Sequence, residues 1–193
     1  MKIYGSTTSP FVRRLRLLLA EQDYEFVPFN IFGKEREALK ATNPTLKIPM
    51  FEDSDCPDVP RLFDSGVTFR YLNEKLGLTP LSLEQQNILS VIDACSDSLV
   101  NVMLLNRSGV DTTQDIMYLK IQRERQLASF EYLDKLAAND QFKHWNYAAM
   151  CLVVLVEWAQ FRELYDFSAH SNLLKFVEES QGQIGVTETK PKE

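Results

Sequence analysis

The sequence predicts an α/β domain followed by an all-α domain, and three observations carry that reading. Strand-like and helical runs alternate from residue 2 to residue 76, a Gly77-Leu78-Thr79-Pro80 stretch then interrupts them, and no strand pattern returns afterwards. The boundaries that follow are 1–77 for the first domain, 78–82 for a linker and 83–193 for the helical domain.

Lys2–Tyr4 reads as a strand. A helix over Pro10–Gln22 follows, with Val12, Leu15 and Leu19 at helical spacing. Ser9-Pro10 marks its start: a serine hydroxyl can cap free backbone N–H groups, and proline fits the first helical position, where its missing donor costs nothing. Glu25–Phe29 alternates as a strand does, and Lys34–Ala41 reads as a short polar helix. Ile48–Glu52 and Arg61–Phe63 flank the turn-rich Asp53-Ser54-Asp55-Cys56-Pro57-Asp58 and predict an antiparallel hairpin. Ser65–Leu76 carries Val67, Tyr71, Leu72 and Leu76 on one face, and Gly77 stops it. The order βαβ, α, ββα predicts a small mixed sheet.

In the second domain, Leu83–Asn106 puts Ile88, Val91, Ile92, Cys95, Leu99, Val102 and Met103 on one stripe of a long amphipathic helix. Thr112-x-x-Asp115 reads as a variant capping box opening a helix that runs to Ala138. Asn146–Arg162, apolar over Ala148–Val156, is expected at the centre of this domain. Asn172–Glu179 forms the last helix, and Thr187–Glu193 is expected to fray.

The 193 residues are 45% hydrophobic and 25% charged, ordinary for a soluble globular protein, with a formal charge of −6 that disfavours nucleic acid or an anionic membrane as partner. Met1 leads straight into a strand, so no signal peptide is expected, and Ala148–Val156 is too short to span a bilayer. Cys56, Cys95 and Cys151 are odd in number and widely spaced, which suits reduced thiols and a cytoplasmic location. Two histidines and no CxxC predict no metal site.

Three motifs carry chemistry. Ser9 places a hydroxyl beside the positive end of a helix, where it either caps the helix only or also stabilises a thiolate. In Asn43-Pro44-Thr45-Leu46-Lys47-Ile48-Pro49, proline falls where a strand should begin and removes a ladder donor. Two explanations stand: a cis Ile48–Pro49 bond that frees the Ile48 backbone for an extended peptide-like ligand, or an edge strand starting at a trans proline. Asp64-Ser65 precedes a helix. Besides capping it, the pair suits an α-amino acid, with the helix N-terminus and Ser65 on the carboxylate and Asp64 on the ammonium group. Lys34 and Lys47 either hold a second carboxylate or are solvated surface lysines. Together these residues describe a groove for a short peptide-like ligand, with Ser9 near its central side chain.

On these motifs the chain resembles a glutathione transferase over nearly its full length. Ser9-Pro10-Phe11-Val12-Arg13 is similar to the serine motif of tau-class and related bacterial members, Asn43 to Pro49 to the cis-proline motif, and Asp64-Ser65 to the Glu/Asp-Ser pair. Lys34 and Lys47 fall at the spacing of glycine-carboxylate ligands in tau-like members. The resemblance implies a thioredoxin-like N-terminal domain that binds glutathione through Lys34, Lys47, Ile48, Pro49, Asp64 and Ser65. It implies Ser9 as the activator of the thiol, a helical C-terminal domain, and the detoxification of small electrophiles. An electrophile pocket is implied between Ser9-Phe11 and the first two helices of the second domain, with Phe11, Met103, Asn106, Arg107 and Tyr118 as candidates. A homodimer is implied as well, the hairpin and the helix after Asp64 packing against the partner's first long helix. Asn146-Tyr147-Ala148-Ala149 stands at the place of the family's Ser/Thr-x-x-Asp box; Asn146 can cap, but Ala149 cannot return the bond. With serine at position 9, and Cys56 the nearest cysteine in sequence, conjugation or glutathione-dependent peroxide reduction is favoured over thiol–disulfide exchange. The competing class is a non-catalytic glutathione-transferase-like binding or regulatory protein, such as the RNA-polymerase-associated stress proteins that have lost the activating residue.

Overall fold

In the computed structural model, which describes residues 1–192, the first strand β1 (Lys2–Gly5) is followed by α1 (Pro10–Leu18), β2 (Glu25–Pro28), α2 (Arg36–Thr42), β3 (Met50–Glu52), β4 (Leu62–Phe63) and α3 (Ser65–Lys75). The sheet order is β2-β1-β3-β4, with β1 and β2 parallel and the other neighbours antiparallel. This is the small mixed sheet of a thioredoxin-like domain. Its core is Ile3, Val12, Leu15, Leu19, Phe51 and Leu72, all fully buried. Helix α1 lies so close to the end of β1 that a Cβ on Gly5 would sit 2.3 Å from Val12 Cγ2, which only glycine permits.

Two ionic clusters fasten the hairpin. Burial pushes the Glu52 carboxyl up, but hydrogen bonds from Arg61 and from the Tyr4 hydroxyl, the latter at 2.8 Å, outweigh it and hold the group below its ordinary range. In the second cluster Lys75 Nζ is 2.5 Å from Asp53 Oδ2 and 2.7 Å from Asp55 Oδ2, and the Tyr71 hydroxyl donates to Asp53 at 2.9 Å. Burial again pushes the Asp53 carboxyl up, and Lys75, the Asp55 N–H and Tyr71 together pull it below the usual value. Hydrogen bonds to Asp53 and Asp55 raise Lys75. The Asp53 contribution to stability is therefore present above about pH 4 and lost as the pH falls through its depressed value. That of Lys75 is present below about pH 10 and lost as the pH rises through its raised value. Lys75→Met is expected to cost about 2 kcal/mol at pH 7, because Asp53 keeps a buried charge without its cation. Urea unfolding across pH checks this: the deficit should vanish as Asp53 protonates, and a deficit independent of pH would refute it.

The second unit spans Leu81–Gln181 and contains α4 (Leu83–Arg107), α5 (Met117–Ala138), α6 (Tyr147–Phe161) and α7 (Ser171–Glu179). Helix α4 opens with a complete capping box between Ser82 and Gln85. By length and composition it is apolar enough to cross a membrane, yet its stripe of Ile88, Ile92, Cys95 and Leu99 is buried in this unit, where α4 packs on α5 and α6. Helix α6 holds the centre, as its composition predicts, with Ala149 and Cys151 to Val156 fully buried. Asn146 caps it by accepting the Ala149 N–H at 3.1 Å. Asp134 of α5 accepts the N–H groups of Asn172 and Leu173, each at 3.0 Å, and so caps α7 from a neighbouring helix. Burial pushes the Cys95 thiol up to about 12, against a smaller opposing effect of its hydrogen bond with Ser129.

Two expectations are corrected. The Thr112-x-x-Asp115 box is not made: Thr112 donates to Asn106 Oδ1 at 2.6 Å, and α5 begins only at Met117, with no side-chain cap. The chain after Gln181 does not continue the helical unit but packs with Met1–Pro80. Within it Val186 is fully buried and Thr189 4% exposed, so Thr187–Lys192 is docked rather than frayed, and Glu193 lies outside the described residues.

Candidate ligand site at one edge of the sheet

The register of the sheet brings the sequence motifs to one edge. Tyr4 of β1 pairs with Met50 at the start of β3, and Met50 pairs with Phe63 at the end of β4. The loop that carries Ser9, the Ile48–Pro49 approach to β3 and the Asp64-Ser65 exit from β4 therefore share one end of the sheet. Gly5 pairs with Pro28, so the loop after β2, which carries Lys34, leaves from that end too. Such loops, at the carboxyl ends of parallel strands, are where α/β sheets bind ligands.

Ser9 has the extended backbone of an N-cap, φ −87° and ψ 125°, and its Oγ accepts the Val12 N–H at 3.4 Å. That bond is long, and the Ser9 hydroxyl proton has no acceptor among the described residues. The neighbouring hydroxyls are engaged: Ser6 and Thr8 lie 2.9 Å apart, and Thr7 donates to the Lys192 carbonyl at 3.0 Å. Ser9 thus combines a helix N-terminus with an uncommitted O–H donor.

The Ile48–Pro49 bond is cis, which decides between the two readings of that motif. Ile48 lies outside the ladder, which begins at Met50, and neither its N–H nor its C=O is hydrogen-bonded among the described residues. The preceding turn is pinned by Asn43, only 1% exposed. Its Nδ2 donates to the Lys47 carbonyl at 2.8 Å, and its Oδ1 accepts the Thr45 N–H at 2.9 Å and the Thr45 hydroxyl at 2.8 Å.

Asp64 stands at φ 63° and ψ 163°, a region that otherwise belongs to glycine, and holding it there costs about 1–3 kcal/mol. One carboxylate oxygen accepts the Val67 N–H at 2.8 Å; the other makes no hydrogen bond among the described residues. Ser65, 6% exposed, opens α3, and its hydroxyl is likewise unengaged. A helix N-terminus, a hydroxyl and an available carboxylate oxygen match the two charges of an α-amino acid head group. Lys34 and Lys47 are exposed and make no ion pair among the described residues.

The electrophile candidates fall in both units. Phe11 is partly buried on α1, its ring centroid 4.9 Å from Arg14 Cζ. Met103, Asn106 and Arg107 end α4, and Tyr118 lies in the first turn of α5, 46% exposed. Around these four, Leu104, Val110, Ile116, Met117 and Ile121 are exposed apolar residues of the second unit. Among the described residues, no three His, Cys, Asp or Glu side chains come together to hold a metal. Asn43 opens the motif read from the sequence, but its role as the buried pin of the turn is one the sequence reading leaves unassigned. Its signal was present, since asparagine before proline favours a turn start.

Residues 3–80 match the family described as glutathione S-transferase, N-terminal domain. The uncharacterized GST-like protein YibF of Escherichia coli (strain K12) is 28% identical over 182 residues, covering 85% of this chain and 84% of that protein. A glutathione S-transferase from Methylobacillus flagellatus KT, solved with glutathione bound, superposes with a TM-score of 0.84 at 19% identity, over 99% of each chain. One from Methylobacterium radiotolerans JCM 2831, in complex with glutathione sulfonate, does so with 0.82 at 17% identity, over 100% of this chain and 95% of that one. A glutathione transferase family member from Pseudomonas fluorescens Pf-5 with bound glutathione gives 0.80 at 20% identity, over 100% and 99%.

Proposed function

The chain belongs to the glutathione transferase family, and on that premise we propose that it binds glutathione at this edge and activates the thiol for attack on a small apolar electrophile. The observation that carries the reading is the shared end of the sheet, where the Ser9 hydroxyl, the unpaired Ile48 backbone and the Asp64-Ser65 helix start all emerge. In this assignment Asp64 takes the ligand's ammonium group, and Ser65 with the N-terminus of α3 takes its α-carboxylate. The Ile48 N–H and C=O pair with the peptide backbone beside Pro49, and Lys34 and Lys47 meet the far carboxylate.

The nucleophile is the thiolate. The Ser9 O–H donates a hydrogen bond to the sulfur, the positive end of α1 adds to it, and both favour loss of the thiol proton to solvent. The sulfur lone pair then forms a C–S bond while the leaving group departs with the electrons of the bond it breaks. Ser9 is not consumed and need not ionise. Reduction of a hydroperoxide by the same thiolate is the other reaction this site supports. On the second unit the exposed apolar residues beside Met103, Asn106, Arg107 and Tyr118 offer contact area for an electrophile; on the first unit Phe11 is the candidate. A homodimer and a cytoplasmic location belong to the same proposal.

Retention on immobilised glutathione, followed by conjugation of an aryl halide and reduction of an organic hydroperoxide, tests the reading. Retention with turnover supports it. Retention without either activity would make the protein a binding module, and no retention would refute the glutathione site.

A further inference from the structure

We propose that the C-terminal segment from Gly185 to Lys192 is a strap that positions the Ser9 loop, with Thr7 and Arg13 as its two points of attachment. Its consequence for catalysis rests on the thiol-activating role of Ser9; its geometry does not.

The segment is built into the first unit. Gly185, at φ +84°, passes so close to the turn after α1 that a Cβ would meet Ala20 Cβ at 2.5 Å. Val186 is fully buried, and Thr189 closes the turn by donating its hydroxyl to the Gly185 carbonyl at 2.7 Å. Arg13, 2% exposed, receives this turn: its guanidinium donates to the Val186 carbonyl at 3.0 Å and to Thr189 Oγ1 at 3.3 Å. A buried guanidinium needs such acceptors, so the strap and the arginine require each other. Arg13 is also one helical turn from Ser9, and its N–H donates to the Ser9 carbonyl at 3.1 Å.

The other attachment lies on the opposite side of Ser9. The Thr7 hydroxyl donates to the Lys192 carbonyl at 3.0 Å. Thr7 sits in a turn closed by the Ser9 N–H to Ser6 carbonyl bond at 3.2 Å and by the Ser6–Thr8 hydroxyl pair. Ser9 is therefore bracketed, two residues upstream and four downstream, by bonds to one strap. The long Val12 contact leaves its side chain only weakly fixed locally, so loop position governs where the hydroxyl points. A hydroxyl that must meet a sulfur tolerates only about 0.5 Å of looseness before its effect declines.

Two variants test this without orphaning Arg13: Thr7→Val, and a chain ending at Thr189, with Thr7→Ser as the rescue. In the ligand-free protein, amide exchange over Thr8–Arg13 should accelerate about fivefold or more in both, while β1 and β3 are unchanged and Thr7→Ser stays protected. With glutathione bound, thiolate absorbance should titrate about half a unit to one unit higher, and kcat at pH 7 should fall about threefold to tenfold with KM for glutathione unchanged. Exchange identical to wild type in both variants would overturn the strap. Altered exchange with an unchanged thiolate titration would overturn its catalytic consequence. A wild type that holds no glutathione would sink the proposed function alone, since the exchange comparison still decides the strap.

Discussion

Replacing Ser9 by alanine is expected to leave glutathione bound while removing most of its reactivity at neutral pH. A free thiol with a pKa of about 8.5 is only about 3% ionised at pH 7. A hydroxyl donor and a helix N-terminus that lower the bound thiol by one to two units raise that share to between about a quarter and three-quarters. Ser9→Ala should therefore cut conjugation by up to about eightfold to twenty-five-fold at pH 7, the helix N-terminus keeping its share of the shift, with little change in glutathione affinity. The loss should shrink steadily as the pH rises and disappear above about pH 9, where the thiol ionises unaided. Stability should fall by less than about 1 kcal/mol, since the cap that is lost spans 3.4 Å. A pH–rate profile of both proteins measures this. Equal rates at pH 7, or a deficit that persists at high pH, would make Ser9 a helix cap and nothing more.

At Asp64 stability and affinity should move in opposite directions. Glycine adopts φ 63° without penalty, so Asp64→Gly relieves about 1–3 kcal/mol of backbone strain and forfeits only a few tenths for the cap. The greater freedom of glycine in the unfolded chain returns about 0.5–1 kcal/mol of this, leaving the variant as stable as wild type or more so. Asp64→Ala keeps the strained backbone and loses the cap, and should be destabilised by about 1 kcal/mol. Both substitutions remove the acceptor for the ligand's ammonium group, so glutathione affinity should drop about tenfold to a hundredfold in each. Thermal unfolding and titration calorimetry on the pair decide it. If Asp64→Gly binds as wild type does, Asp64 is only a cap. If it unfolds before Asp64→Ala, the strain is not there.

Much of this was legible because the signals are local. Ser9-Pro10 and Asp64-Ser65 are helix starts whose chemistry depends on immediate neighbours, and both stand where the structure starts α1 and α3. The hairpin was legible from the turn residues between its two short strands. What the sequence hid depends on distant partners. The two isomers of an X–Pro bond differ by about 0.5–1 kcal/mol, so the residues around Pro49 do not choose between them. Thr187–Glu193 is polar and looks frayed because its anchor, Arg13, lies far away in the chain. Thr112 has a valid capping pattern but meets Asn106 instead, whereas the Ser82-x-x-Gln85 pattern forms its box because both partners stay local to the start of α4.

The burial of Cys95 bears on the protein's own survival. On the proposed function, a protein that lowers the proton affinity of one guest sulfur would work beside reagents that alkylate any thiolate they meet. Cys95, its thiol pushed up to about 12 by burial, stays protonated at the neutral pH where the guest would ionise, and Cys151 is sealed in the centre of α6. Resident and guest thiols share the same chemistry and differ in solvation and in the donor they face. The packing that builds the second unit thereby keeps two of the chain's three thiols out of the reaction.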